Sequence, residues 1–363
     1  MLCHRNGFRN YFVKTDAEFR NTILKEGRKA MSEMDRRNFV KNSLLGTVGL
    51  GVFPKGIFSA SVLQTQNSQD EIPKRMLGKT GLNITMLSMP GWHMARMKEE
   101  KNAIRMIRMA YDSGINFFDS SWDYEDGKAD ERLGKAFKSD RQKVFLMTKV
   151  NGRTKVDAEK ELHESLQRMQ TDYLDLWQFH MVGTAKEADI IFGPGGAYEL
   201  ALKAKQEGKI RHIGMTDHRD PNVLLKVMKE HPDTMETFQF PVNVIDPHYM
   251  SFIETVIPEA MKHNIGVIAM KTCAIGLIIE NKIATVDECL NFAWSFPIST
   301  IVSGMDHFDH LKHNIDLAKR FKPMTEEARK QLLARTKKTS GPEYERFKIG
   351  GKEWRVFPKD PLL

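Results

Sequence analysis

The 363-residue sequence has only three cysteines, Cys3, Cys273 and Cys289, and no Cys-x-x-Cys pair. Without paired spacing neither a zinc ribbon nor an iron–sulfur site is supported, and no metal site is expected. Cys273 and Cys289 read as small buried hydrophobes, with a disulfide between them left open. Long apolar runs are missing too. The richest, residues 43–53, is shorter than the ~20 residues a membrane-spanning helix needs, so no stable transmembrane span is expected. There are no short-period repeats and no low-complexity segments. An even spread of positive charge is also absent. Residues 1–60 carry 11 Lys or Arg against 5 Asp or Glu, a net of +6 out of the chain's +8, which leaves +2 for residues 61–363. The basicity belongs to the leader, and nucleic acid is set aside as a partner.

That leader has a pattern. Asp35-Arg36-Arg37-Asn38-Phe39-Val40-Lys41 precedes a Gly-rich apolar stretch and the small residues Ser59-Ala60-Ser61. It resembles a twin-arginine (Tat) export signal, assigned to residues 34–61, which implies the Tat machinery as a partner and a periplasmic or extracytoplasmic location. Residues 1–33 are polar, basic and unpatterned. They are expected to be a non-native or disordered extension, with Met31 or Met34 as the start.

From residue 74 on, short apolar runs alternate with amphipathic stretches. Residues 76–82 predict a hairpin whose glycines supply the turns. Strands are predicted at 84–89, 115–119, 144–150, 174–181, 210–216, from 237, at 266–271 and at 300–303. Helices are predicted at 101–113, 131–137, 158–169, 198–206, 222–230, across 259–263, and at 286–296 and 311–319. Alternating strands and helices argue for a parallel sheet. Eight of each argue for a closed α/β barrel, (β/α)8, over residues 74–325. Residues 326–363 read as a C-terminal tail lying on it.

Four side chains stand at or just past the ends of these runs. Asp119 closes Gly114-Ile115-Asn116-Phe117-Phe118, Tyr124 follows five residues later, Lys149 closes Val144-Phe145-Leu146-Met147-Thr148, and His180 closes Leu174-Asp175-Leu176-Trp177-Gln178-Phe179. In a parallel barrel all strand C-termini open on one face, which carries the chemistry. An acid, a phenol, an amine and an imidazole converging there suit hydride transfer to or from a carbonyl carbon.

Several blocks then carry a resemblance. Residues 114–124 with Glu131-Arg132-Leu133-Gly134-Lys135-Ala136-Phe137 form one. Gly208–Thr216 read Gly-Lys-Ile-Arg-His-Ile-Gly-Met-Thr. Gln239-Phe240-Pro241-Val242-Asn243, Gly266-Val267-Ile268-Ala269-Met270-Lys271, and Gly304-Met305 with Leu311 and Asn314 complete the order. Over roughly residues 74–320 the chain resembles an aldo-keto reductase. The resemblance implies Tyr124 as the general acid, its pKa of ~10 lowered by Lys149, which Asp119 would hold and polarise. His180 would orient the substrate oxygen and relay the proton.

The resemblance also implies cofactor residues. Thr216 and Asp217 stand where the family has Ser-Asn around the nicotinamide amide; Asp217 keeps an acceptor but loses the amide donor. Gln239 is intact. Met270 replaces an aromatic residue that stacks on the nicotinamide in many members. Lys271 would meet the pyrophosphate, Gly304 opens the closing block and Asn314 would contact adenine. Trp92, His93 and Trp122 line the expected substrate mouth, as stacking surfaces or as rim packing. NADP is the family default. Residues 304–314 contain no arginine to hold a 2′-phosphate, only Asp306, His307, His310 and Lys312, which leans toward NAD.

The expected function is an exported, nicotinamide-dependent oxidoreductase acting on a small carbonyl or alcohol, with a sugar-like substrate as one option. The alternatives are an epimerase or isomerase that retains its cofactor, and a non-catalytic binding protein on a reductase scaffold. A sugar hydrolase needs facing carboxylates; Asp119 and Asp217 offer a pair, but Tyr124 and Lys149 then have no role.

Overall fold

A computed structural model of the chain describes residues 70–348. The chain divides into two units, Met1–Ser59 and Ala60–Leu363, and every described residue lies in the second. The expected extension and export signal lie outside the described residues.

The first elements are a hairpin, β1 (Lys74–Met76) and β2 (Asn83–Thr85), paired antiparallel. Leu77 and Ile84 from it are fully buried among Phe117, Met147, Leu176 and Ile268, inside the barrel. The Lys79 amide also donates to Asn264 O, just before a barrel strand begins. The hairpin therefore stoppers the N-terminal end of the barrel, leaving the other end for chemistry.

Eight strands follow: β3 (Leu87–Ser88), β4 (Phe117–Phe118), β5 (Phe145–Val150), β6 (Leu174–Phe179), β7 (Ile210–Thr216), β8 (Thr237–Pro241), β9 (Gly266–Met270) and β10 (Thr300–Val302). They are parallel, in the order β3-β10-β9-β8-β7-β6-β5-β4. A parallel bridge of Met89 to Phe118 closes the ring, with Asp119 N donating to Met89 O at 2.9 Å. Along β6 the side chains alternate. Leu176 joins the interior cluster and Trp177 the layer between strands and helices, as a barrel requires. The single strand expected at 84–89 is split. Residues 83–85 pair with β1, Met86 N donates to Pro73 O, and only Leu87 and Ser88 pair with β10.

The helices are α1 (Gly91–Arg96), α2 (Glu100–Asp112), α3 (Lys128–Phe137), α4 (Lys155–Arg168), α5 (Ala185–Phe192), α6 (Ala197–Gln206), α7 (Pro221–Glu230), α8 (Phe252–Lys262), α9 (Leu277–Glu280), α10 (Val286–Trp294), α11 (Phe308–Lys319) and α12 (Glu326–Thr336). Side chains of Thr154, Thr184, Asp220, Ser251, Thr285 and Thr325 cap six of them by accepting from early backbone amides. α1, α5, α9 and α12 are additions to the expected set, and α12 makes the start of the C-terminal tail regular.

After α12 the chain returns to the barrel mouth. Lys348, with a fully buried side chain, donates to Asp246 Oδ1 (2.7 Å), Tyr249 O (2.7 Å) and Glu345 Oε2 (2.8 Å), and Asn243 Nδ2 donates to Glu345 Oε1 (2.9 Å). Burial and Asp246 push Glu345 up to about 7 against the pull of Lys348. This clasp ties residues 345–348 to the loop after β8.

Candidate active site

Lys149, on β5, is the centre of the mouth. It is 1% exposed and donates to Asp119 Oδ2 at 2.5 Å and to Ser120 O at 2.6 Å. Its third contact is the Tyr124 hydroxyl at 3.5 Å. Tyr124 stands edge-on to His180, with ring centroids 5.7 Å apart, and edge-on to Trp92 at 5.3 Å. Asp119, Tyr124, Lys149 and His180 thus meet at one point, carried by the ends of β4, β5 and β6. Gly91 permits this approach. A Cβ there would fall 2.4 Å from Asp119 O, so only glycine lets α1 start against the end of β4 and set Trp92 beside Tyr124.

The phenol's electrostatics differ from expectation. Burial, and then the charges of Asp119 and Asp123, push Tyr124 well above the usual tyrosine value rather than below it. Lys149 lies an ångström closer to Asp119 than to the phenol, so much of its field is cancelled. Tyr124 rests as a neutral acid. Burial lowers the His180 pKa, with Asp123 pulling the other way.

The other side chains divide. Thr216 and Gln239 are register partners across β7 and β8. Thr216 Oγ1 accepts from Met181 N at 2.9 Å, leaving its proton for another acceptor. Gln239 Nε2 lies 3.4 Å from Asp119 Oδ2, and its buried Oε1 has no partner among the described residues. A hydroxyl donor beside an orphaned amide oxygen fits a carboxamide, which is the polar group of nicotinamide. Met270 ends β9, half-buried, and Lys271 follows at φ +53°. Burial, then the charge of Lys149, lower Lys271 to about 8, and its Nζ lies 5.3 Å from the Phe347 ring centroid. Asn314 is buried and donates to Ser303 Oγ. His93 packs on Gly304, where a Cβ would fall 2.8 Å from its Nε2.

Two placements add detail that the sequence reading did not contain. Asp217 accepts from the amides of His218, Arg219 and Asp220 at 2.6–3.1 Å. It staples its own loop, with burial pushing it up to about 7 against those donors. Trp122 is held against α4. Its Nε1 donates to Glu164 Oε2 on α4 at 2.7 Å, and its ring borders a cleft of about 410 Å³ with Asn151, Arg153, Asp157, Lys160 and Glu161.

Residues 85–289 match the model of the aldo/keto reductase family. The chain belongs to that family. As an aldo/keto reductase it is an oxidoreductase that uses NAD or NADP, and its fold is the family's (β/α)8 barrel. It is 26% identical over 311 residues to the uncharacterized oxidoreductase YqkF of Bacillus subtilis, covering 73% of this chain and 96% of the relative. It is 30% identical over 226 residues to L-galactose dehydrogenase of Arabidopsis thaliana, 58% of this chain and 68% of that one. Among solved structures it is similar to the aldo-keto reductase AKR11C1 from Bacillus halodurans in its holo form. There the TM-score is 0.63 and the identity 24%, over 75% of this chain and 99% of the other.

In this aldo/keto reductase the sequence reading missed the surroundings of His180. Its Nδ1 lies 3.1 Å from Ser121 Oγ, 3.1 Å from Asn151 Oδ1 and 3.4 Å from Asp123 Oδ1. Nearness in sequence to Tyr124 and Lys149 was the available signal. The C-terminal clasp was missed as well, and nothing local in the sequence marks it.

Proposed function

We propose that this aldo/keto reductase reduces a carbonyl group on a sugar-like substrate outside the cytoplasm, with Tyr124 giving up the proton. The observation that carries the reading is the Lys149 ammonium, fixed by Asp119 and Ser120 O and set 3.5 Å from a neutral Tyr124 hydroxyl. When bound, NAD(P)H would supply the hydride to the carbonyl carbon. Negative charge then gathers on the carbonyl oxygen, and Tyr124 donates its proton to that oxygen. Lys149 steadies the phenolate left behind, and Asp119 keeps Lys149 charged and in place. Thr216 and Gln239 would hold the cofactor's carboxamide, and Lys271 would meet its pyrophosphate. The identity with a galactose-oxidising relative and Trp92 beside the phenol support a sugar-like substrate.

Tyr124→Phe is expected to lower turnover by ~10²–10⁴-fold and to leave cofactor affinity near normal. Stopped-flow reduction with bound NAD(P)H checks it, and a variant keeping most of its rate removes Tyr124 as the acid. Export rests on Arg36-Arg37. Replacing both by lysine is expected to strand folded protein in the cytoplasm, and normal export of the double variant defeats the assignment.

The clasp favours a second reading. Phe347 lies against Lys271 and edge-on to His218, at the place proposed for the pyrophosphate. A segment closed there would slow cofactor release, and a retained cofactor returning its hydride to the same molecule makes an epimerase or isomerase. Mass analysis of protein from its native compartment distinguishes the two by the presence or absence of held NAD or NADP.

A further inference from the structure

Asp123 sits one residue before Tyr124 and organises a small network. Ser121 Oγ donates to Asp123 Oδ1 at 2.6 Å, and Asn151 also hydrogen-bonds to the Asp123 side chain. A carboxylate only accepts, so the Ser121 proton and an Asn151 amide hydrogen are spent on it. What Ser121 and Asn151 then turn toward His180 Nδ1 is oxygen, at 3.1 Å in each case, and Asp123 Oδ1 itself is 3.4 Å away. Three oxygen acceptors surround one ring nitrogen, and that nitrogen must carry the proton. Burial opposes ionisation of Asp123. Hydrogen bonds from His180, Ser121 and Asn151 outweigh it and hold the carboxyl well below its ordinary range. His180 Nε2 makes no hydrogen bond among the described residues, and the ring is in edge contact with Tyr124.

We infer that Asp123 is a positioning residue that fixes the neutral His180 ring with its proton on Nδ1, so that Nε2 meets the substrate as a hydrogen-bond acceptor. The inference rests on the reductase reading of the same site. Its consequence is a substrate class. Tyr124 supplies the donor that a carbonyl oxygen needs. An Nε2 lone pair beside it needs a donor from the substrate, and a bare carbonyl has none. A hydroxyl on the carbon next to the carbonyl supplies one. The site is therefore built for α-hydroxy carbonyl compounds, or vicinal diols in the reverse direction, over carbonyl compounds of the same size without that hydroxyl. Sites that pair a substrate hydroxyl discriminate strongly against analogues lacking it, because the protein group is left unpaired.

The test has two arms. The first reads the ring directly in ¹⁵N-histidine-labelled protein without substrate, with the His180 signals assigned by their loss in His180→Gln. The bare nitrogen is expected to be Nε2. Asp123→Asn, whose amide puts a donor into the network, is expected to move the ring toward the other tautomer, as is Ser121→Ala to a lesser degree. A bare Nδ1 in the unaltered protein, or a tautomer that neither variant moves, overturns the inference. The second arm compares glyceraldehyde with propanal. The expected kcat/KM advantage of the hydroxylated aldehyde is about tenfold or more, falling to about threefold or less in Asp123→Asn. Equal rates in the unaltered protein overturn the substrate class. If neither NADH nor NADPH reduces any carbonyl, the reductase reading fails, while the tautomer arm still decides the role of Asp123.

Discussion

Lys149 and Lys348 are both sealed from water against carboxylates, and their surroundings differ at one bond. Lys348 has three short acceptors, two from carboxylates and one from a backbone carbonyl, at 2.7–2.8 Å. Lys149 has two, at 2.5 and 2.6 Å, and a third contact stretched to 3.5 Å on a phenol. A buried ammonium with every proton spent has nothing left to respond with, and it serves the fold. One with a loosely engaged proton can tighten onto a partner that becomes charged, and Tyr124 is placed to become so. The comparison separates buried charge that holds a segment from buried charge held in reserve for a reaction.

Removing each lysine is the sharpest way to break that comparison. Lys149→Met is expected to lower turnover by about 10²-fold or more, through loss of charge at the developing phenolate. Lys348→Met leaves Asp246 and Glu345 facing each other inside the protein, and breaking a buried pair in this way costs about 3–5 kcal/mol. Lys348→Met strands two buried carboxylates where Lys149→Met strands one, so in urea unfolding Lys348→Met should be the less stable of the two, and Lys149→Met the less active. Reversal of either order erases the distinction.

A smaller effect comes from Lys271, lowered to about 8 by burial and by the charge of Lys149. Below that pH the ammonium is charged and attracts an anionic pyrophosphate; above it the charge is lost. Cofactor affinity should thus weaken as pH rises through about 8, by about tenfold at most. Lys271→Met should flatten the profile in calorimetric titrations. An unchanged slope in that variant would place the anion elsewhere. The smallest effect concerns cofactor choice. Asp306 is held by His310 at 2.7 Å, and Lys312 is exposed beside Asp309. NAD(H) is expected to bind at least as well as NADP(H). A tenfold preference for NADPH, about 1.4 kcal/mol, would reveal a phosphate-binding cation outside residues 304–314.

The barrel was legible because most of its strands are short apolar runs ended by a polar residue, and a parallel barrel gathers those ends on one face. Asp119, Tyr124, Lys149 and His180 could be read from that rule alone. The division of residues 84–89 could not, since no change in hydrophobic pattern marks where a chain exchanges one partner for another. α12 hid because little of it is buried besides Leu332 and Thr336, although its Thr325 cap was in plain view. The phenol's pKa was expected to shift the other way because sequence shows neither how deeply a group is buried nor which of the charges present is nearer. The Asp123–His180 network depends on a loop that turns through positive φ at Glu125 and Asp126, a curvature that residue types did not announce.

The clasp also sets an order of events in the life of the molecule. Asn243 and Asp246 leave the ribosome about a hundred residues before Glu345 and Lys348, the partners that neutralise and cover them. Until then the mouth lacks one wall, and the carboxylate of Asp246 lacks its cation. The barrel's strands can associate during synthesis, but the rim next to Lys271 is finished only once residues 345–348 have emerged. A cofactor pocket completed last can be filled before it is walled in, so assembly in the presence of nucleotide and assembly in its absence need not yield equally loaded protein.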